Sequence, residues 1–147
     1  MQVRLAQARD LDAVLALYAQ LHPGEEPAPP ERSRMVFEHI LSAPHLSLIV
    51  AQAQDAAVAG TCYLNVIENL SRAAFPYGVL ENVVVDQRVR GQGIGKALVA
   101  FALARAWQAG CYKVMLQTGS QRESTHGFYR ACGFSAGDKF AFVARPQ

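Results

Sequence analysis

The sequence predicts a single α/β domain with a mixed sheet, and three observations carry that prediction. A β-branched run at Val79 to Val85, VLENVVV, leads into a glycine-rich stretch at Arg88 to Leu98, RVRGQGIGKAL. Apolar residues then recur at helical spacing through Ile94, Ala97, Leu98, Phe101 and Ala102. Along the whole chain, strand-like and helix-like segments follow in the order β, α, α, β, β, β, α, β, α, β, the pattern of a sheet covered by helices. At 147 residues the chain has the length of one domain, residues 1–147, able to bury about 70% of the surface its unfolded form exposes.

Each element has its own signal. Val3 to Ala8 alternates as a short strand does, and Asp10 stands at the N-cap position of a helix carrying Leu11, Val14, Leu15, Leu17, Tyr18 and Leu21. Pro23 stops that helix. His22 to Pro30, HPGEEPAPP, is proline-rich and acidic, an exposed loop leading to a second helix from about Glu31 to Leu41. Leu46 to Ala53 and Val58 to Val66 read as strands of an antiparallel hairpin that turns through Gln54, Asp55 and Ala56. Ile67 to Pro76 connects the hairpin to the Val79 to Val85 strand, whose apolar run suits a buried central position. A helix from about Gly93 to Ala109, closed by Gly110, precedes a strand at Tyr112 to Thr118. A helix at Glu123 to Cys132 and strand material from Phe134 to Val143 complete the series.

Composition excludes several functions. With 51% hydrophobic and 18% charged residues and a formal net charge of +2, the chain carries too little charge for wholesale nucleic-acid or membrane binding. Cys62, Cys111 and Cys132 are widely spaced and read as small buried hydrophobes in a reducing compartment. His22, His39 and His45 are too scattered to suggest a metal. The N-terminal stretch MQVRLAQARDLDAV lacks the apolar core of a signal peptide, and no run reaches the roughly eighteen apolar residues of a membrane span. A soluble cytoplasmic protein is the expectation.

The glycine loop has the makings of a phosphate cradle. Gly91, Gly93 and Gly95 let the backbone turn tightly and bring N–H groups to a ligand. The helix behind them aims its unsatisfied donors at the same place, and Arg88, Arg90 and Lys96 add positive charge. The P-loop of nucleotide hydrolases does not fit: Arg90 falls where its first glycine belongs and Ala97 where its hydroxyl belongs. The dinucleotide fingerprint fails too, its third glycine falling on Lys96 or Leu98.

What the stretch resembles is the acyl-CoA loop of the GNAT family of N-acetyltransferases: Gln or Arg, two residues, Gly, one residue, then Gly or Ala. Arg90, Gly93 and Gly95 match that pattern. His126 to Phe134, HGFYRACGF, is similar to the family's last helix and the strand entry after it, with Tyr129 at the position of its frequent catalytic tyrosine. Together with the strands at Val79 to Val85 and Tyr112 to Thr118, the two motifs cover roughly the C-terminal half of the chain.

The resemblance implies a mostly antiparallel mixed sheet flanked by helices, with a splayed central strand pair, and acetyl-CoA as co-substrate without a metal. Main-chain groups of Val83, Val84 and Val85 would bind the pantetheine arm and thioester, while their side chains read as core. The amides of Arg90, Gly91, Gln92, Gly93, Ile94, Gly95 and Lys96 would hold the pyrophosphate, with Arg88 and Arg90 as supporting charges. Many members carry an asparagine just before the last helix; here Arg122, Ser124 and Thr125 stand there, Ser124 or Thr125 as hydroxyl substitutes or Arg122 as a phosphate contact.

An amine resembling lysine has a pKa near 10.4, so only about one molecule in a thousand is neutral at pH 7. Glu81, in an otherwise apolar strand, is the candidate to accept its proton through a water, partial burial raising its basicity; the alternative is a carboxylate turned to solvent or paired with an arginine. Tyr129 is the candidate to protonate the departing thiolate; the alternative is an aromatic packed on the sheet beside Phe128. Asn82 reads equally as a substrate contact or a structural amide, and His126 as a polar group on the surface or at a helix start.

Family members position the acceptor with segments equivalent to His22 to Arg34 and Ile67 to Tyr77. Glu25, Glu26, Glu31 and Glu68 would attract a cationic amine there, and Arg32, Arg34 and Arg72 an acid group on the same molecule. The expected acceptor is a small-molecule primary amine. A peptide N-acetyltransferase and a non-catalytic acyl-CoA-binding module are the alternatives. A homodimer built on the apolar Lys139 to Val143 edge is also a candidate.

Overall fold

The computed structural model describes residues 1–53 and 57–147, and the expected turn at Gln54, Asp55 and Ala56 lies outside them. Five strands, β1 (Gln2–Leu5), β2 (Leu46–Gln52), β3 (Val58–Ile67), β4 (Tyr77–Val85) and β5 (Val114–Leu116), form one sheet in chain order. The first four are successively antiparallel, and β5 runs parallel to β4. Such a parallel pair needs a crossover, and α3 (Ile94–Gln108) provides it. The other helices are α1 (Leu11–Leu21), α2 (Pro30–Ser42) and α4 (Glu123–Ala131).

The apolar run LIVA in β2 is explained by burial on both faces. Ile49 and Ala51 join Cys62, Leu64, Leu80, Leu98, Val99 and Ala102 in a core under α3. Leu48 and Val50 point the other way, into a core with Ala6, Val14 and Phe37 beneath α1 and α2. The sheet therefore separates an α3 face from an α1–α2 face, and α1 and α2 pack on the latter.

Two features of β4 build the site. Its pairing with β5 covers only Gly78↔Val114, Val79↔Met115 and Leu80↔Leu116, whereas its pairing with β3 continues to Val85↔Gly60. From Glu81 onward the two strands part, as the splayed pair requires. On the other side, Glu81 opposes Tyr63 and Val84 opposes Thr61, so Asn82 and Val83 both stand against Cys62. This is a β-bulge, and Asn82 sits in it at a φ of 52°.

Several sequence expectations need correction. Asp10 is not a side-chain N-cap. Its carboxylate is buried, receives Arg4 through both guanidinium nitrogens at 2.6 and 2.9 Å, and accepts the Gln7 N–H at 2.7 Å, closing a 3-10 turn at Ala8–Asp10 where the end of the first strand was expected. The Arg4 hydrogen bond, against the cost of burial, holds the Asp10 carboxyl below its ordinary value. A lowered pKa gives stability that is present above the unfolded value near 4 and lost as pH falls through the folded one. Asp10→Asn is therefore expected to destabilise the fold by about 3 kcal/mol at pH 7. In urea unfolding, the gap to the wild type should close as pH is lowered below about 4.

The last expected strand, Phe134 to Val143, does not form, and β5 is shorter than Tyr112 to Thr118. Gly133 and Gly137 turn the chain at φ values of 94° and 97°, and a Ser135 to Asp138 side-chain hydrogen bond curls it between them. A strand also needs an edge to pair with. Without such an edge Phe140 and Phe142 are 87% and 91% exposed, and no strand forms at Lys139 to Val143.

Candidate active site

The glycine loop runs from the end of β4 to the start of α3. Asp86 opens it: its carboxylate accepts the Arg88 N–H and guanidinium, the closest contact being 2.6 Å. These bonds bring the Asp86 carboxyl down to about 2. Arg88 thereby shapes the turn, and Arg90 donates from Nε to the Val85 carbonyl at 3.1 Å. Both expected supporting charges are thus engaged beside the loop.

Gly91 and Gly93 hold φ values of 80° and 81°, a region that side chains with a Cβ rarely enter. Gly93 is the α3 N-cap, and the Ala97 N–H to Gly93 carbonyl bond is 3.1 Å. The amides of Ile94, Gly95 and Lys96 precede that bond and have no acceptor within the helix. Gly91, Gln92, Gly93 and Lys96 are exposed, while the buried Ile94 side chain anchors the loop in the core. Gly95 is constrained differently: a Cβ there would lie 3.1 Å from Phe128. Its bareness seats α4 on the start of α3.

That seating brings Tyr129 to β4. Its ring packs edge-on with Phe128 at 5.0 Å and Phe134 at 6.2 Å. Burial first, and then the neighbouring Cys132, Cys62 and Glu81 groups, push its phenol up. Glu81 is exposed rather than half-buried, because it lies where β5 has parted from β4. It shares the α1–α2 face with Tyr63, its cross-strand partner. Val84 is buried, and Val83 and Val85 pack against the α3-side core, as their side chains were expected to.

Before α4, Ser120 organises the loop. Its Oγ bonds Thr125 Oγ1 at 3.0 Å and accepts the Arg122 N–H, and its carbonyl meets His126 Nε2 at 2.7 Å. Arg122 and Ser124 lie exposed at the helix start. His126 is half-buried and makes its polar contact at the start of α4, the second of the two places expected for it. Sequence reasoning also missed Tyr18, whose phenol is pushed up to about 12, chiefly by burial, with the Asn82 side chain acting against that rise. It missed Gln20 as well, whose side chain accepts the Gln87 N–H at 3.0 Å.

Two hollows coincide with the segments expected to receive the acceptor. One, of about 190 Å³, lies between α1 and α2, with Tyr18, Ala28, Arg32, Ser33 and Phe37 in its wall. Tyr18 in that wall lies near Asn82, next to Glu81. The other, of about 420 Å³, is lined by Glu68, Asn69, Leu70, Ala74 and Pro76 at the far end of β4, four residues and so roughly 13 Å of strand from Glu81. Arg34 is held by Glu31 and Glu38 on the outer side of α2, and Arg72 lies over the Tyr112 ring at 5.8 Å. Of the three arginines expected to bind an acid group, only Arg32 lines either hollow.

Among the described residues, no group of three or more His, Cys, Asp or Glu is placed to hold a metal ion, and no helix is long and apolar enough to cross a membrane. Unpaired amides at a helix start beside a parted strand pair define a protein able to hold an anion there. The model of the acetyltransferase (GNAT) family matches residues 11–134, and the chain belongs to that family. It is an acetyl-CoA-dependent N-acetyltransferase.

The chain is 34% identical to glucosamine 6-phosphate N-acetyltransferase 1 of Oryza sativa over 82% of its own length and 72% of the relative's. Aminoalkylphosphonate N-acetyltransferase of Salmonella typhimurium is 31% identical over 90% of this chain and 84% of its own. The solved structure of a putative acetyltransferase from Agrobacterium tumefaciens superimposes with a TM-score of 0.92 at 37% identity, covering 99% of this chain and 100% of that one.

Proposed function

We propose that the chain acetylates the primary amine of a small molecule that also carries a phosphate or phosphonate group. The observation that carries this reading is the hollow between α1 and α2, which presents Arg32 and Tyr18 at its wall on the face of the sheet that also carries Glu81. The likeness to an acetyltransferase of glucosamine 6-phosphate and one of aminoalkylphosphonates, both amines bearing a phosphoryl anion, supports it. Ala28, from the loop before α2, walls the hollow and favours a compact acceptor over a peptide.

Acetyl-CoA supplies the activated acetyl group. The backbone of Val83 to Val85, left without a β5 partner, lies along its pantetheine arm, and the amides of Gly91 to Lys96 receive its pyrophosphate at the α3 N-terminus. Glu81, exposed on the acceptor face, takes a proton from the amine through a water. The amine nitrogen then attacks the thioester carbonyl carbon, forming the C–N bond, and the tetrahedral adduct breaks its C–S bond. Tyr129, kept protonated by burial, gives its proton to the departing thiolate, and the second proton of the attacking nitrogen, released as the amide forms, restores the phenol.

The test is release of free thiol from acetyl-CoA with a panel of amino sugar phosphates, aminoalkylphosphonates, polyamines, aminoglycosides and N-terminal peptides. Highest kcat/KM is expected on the phosphorylated amines. Arg32→Ala should raise KM for these by roughly 10- to 100-fold, the loss of one charge-assisted contact, and leave KM for amines without an anionic group unchanged. Preferential turnover of peptides would replace this reading with a peptide acetyltransferase, and CoA binding without turnover on the whole panel would indicate a binding module.

A further inference from the structure

We propose that Gln20 is a positioning residue for the coenzyme: from the last turn of α1 its side chain holds the 3-10 turn that feeds the glycine loop, and so sets the direction in which the loop amides meet the pyrophosphate of acetyl-CoA. The inference rests on the reading of those amides as the pyrophosphate cradle.

The backbone donors of the turn at Gln87–Val89 can be accounted for one by one. The Arg88 N–H goes to Asp86 Oδ1 and the Val89 N–H to the Asp86 carbonyl, each at 3.0 Å. Both bonds close on a residue next to the turn, so they fix its shape and not its direction. The Gln87 N–H, first in the turn, has no acceptor within it. It donates to Gln20 Oε1 at 3.0 Å, a partner 67 residues away in the chain. Val89 packs against the core under α3 and holds the far end of the turn. Gln20 holds the near end.

Gln20 is itself firmly placed. Val14, Leu17 and Gln20 recur at intervals of three on one face of α1, and the first two are buried. The stripe that docks α1 thus ends in a polar side chain beside the end of β4. Its neutral amide offers an acceptor without adding negative charge to a loop that is to receive an anion. Beyond the turn, Arg90, Gly91 and Gln92 are all that separate Val89 from Gly93, the N-cap of α3. A tilt of the turn therefore passes into Gly91 and Gln92, whose amides form the outer rim of the proposed cradle, and hydrogen bonds weaken steeply as their angles close.

The experiment compares wild type, Gln20→Ala, Gln87→Pro and the double variant Gln20→Ala/Gln87→Pro, by calorimetric titration with acetyl-CoA and by steady-state kinetics. Gln20→Ala is expected to raise Kd and KM for acetyl-CoA roughly 3- to 10-fold, the loss of one hydrogen bond. Its kcat at saturation should stay within about twofold of wild type. Proline suits position 87: it has no N–H to satisfy, its ring fixes the torsion on which the turn swings, and Asp86 before it is already extended at ψ 127°. The double variant should therefore bind acetyl-CoA within about threefold of Gln87→Pro alone, whereas a Gln20 that merely packs would cost the same affinity in both backgrounds. Unchanged affinity in Gln20→Ala, or an undiminished loss in the double variant, overturns the proposal. Amide hydrogen exchange over residues 87–93, recorded without coenzyme, separates the causes. Faster exchange in Gln20→Ala with unchanged affinity means that the tether exists and the loop is not the cradle. Unchanged exchange with unchanged affinity means that the tether itself fails.

Discussion

Gly93→Val is expected to give a folded protein whose affinity for acetyl-CoA is weaker by a factor of 100 or more. The two halves of that expectation have separate causes. A Cβ added at Gly93 meets no atom within 4 Å, so the substitution creates no clash with the rest of the protein. The cost is conformational: at φ 81° a β-branched residue is strained by about 1–2 kcal/mol, which lowers the melting temperature by roughly 2–8 °C in a chain of this size. The loop can relieve that strain only by abandoning its left-handed turn, and the turn is what aligns the Ile94, Gly95 and Lys96 amides at the start of α3. Losing two hydrogen bonds to a charged pyrophosphate, each worth about 1.5–3 kcal/mol, weakens binding by 10²- to 10⁴-fold. Calorimetric titration with acetyl-CoA alongside a thermal melt measures both quantities. A folded variant that binds within threefold of wild type would show that these amides do not form the cradle.

Where the sequence could be read, the causes were local. A strand, a tight glycine turn and a helix start are each written within a few residues, so the path from Val79 through Gly93 to Leu98 was legible, as were the helix bearing Tyr129 and the connectors that border the hollows. What depended on distant partners was not. Asp10 has the residue type and place of an N-cap, yet Arg4 on the neighbouring strand offers its carboxylate more than a helix amide does. Phe134 to Val143 ends in an apolar run suited to a strand, but such a run does not supply an edge to pair with. Glu81 was expected to be partly buried from its apolar neighbours, and the parting of β5 exposes it. Tyr18 looked like one more core aromatic, because helical spacing shows which side of α1 faces the sheet and says nothing of the hydroxyl at its tip. No pattern marks Asn82 as left-handed, although asparagine before a valine run is the residue type that tolerates it.

Tyr129→Phe separates the two roles left open for that residue, because phenylalanine keeps the ring and removes only the hydroxyl. The edge-on contacts with Phe128 and Phe134 survive the change, so a purely packing tyrosine would leave kcat untouched. A proton donor to the departing thiolate would not: kcat should fall 10²- to 10⁴-fold, with KM for acetyl-CoA within a few-fold of wild type. The pH dependence adds a second readout. Burial raises the Tyr129 phenol above its ordinary value, which is near 10. The donor form is therefore complete at neutral pH, and wild-type kcat should decline only at alkaline pH, a limb that Tyr129→Phe should lack. The same upward shift means that the folding stability linked to this group is full below the unfolded phenol value and drains as pH rises through the folded one. Tyr18 and Cys62, both pushed up to about 12 by burial, act in the same direction. Circular dichroism recorded across the profile distinguishes loss of the donor from loss of the fold: an alkaline limb that persists in Tyr129→Phe and tracks unfolding would assign it to stability. A variant with wild-type kcat would remove the phenol from the mechanism.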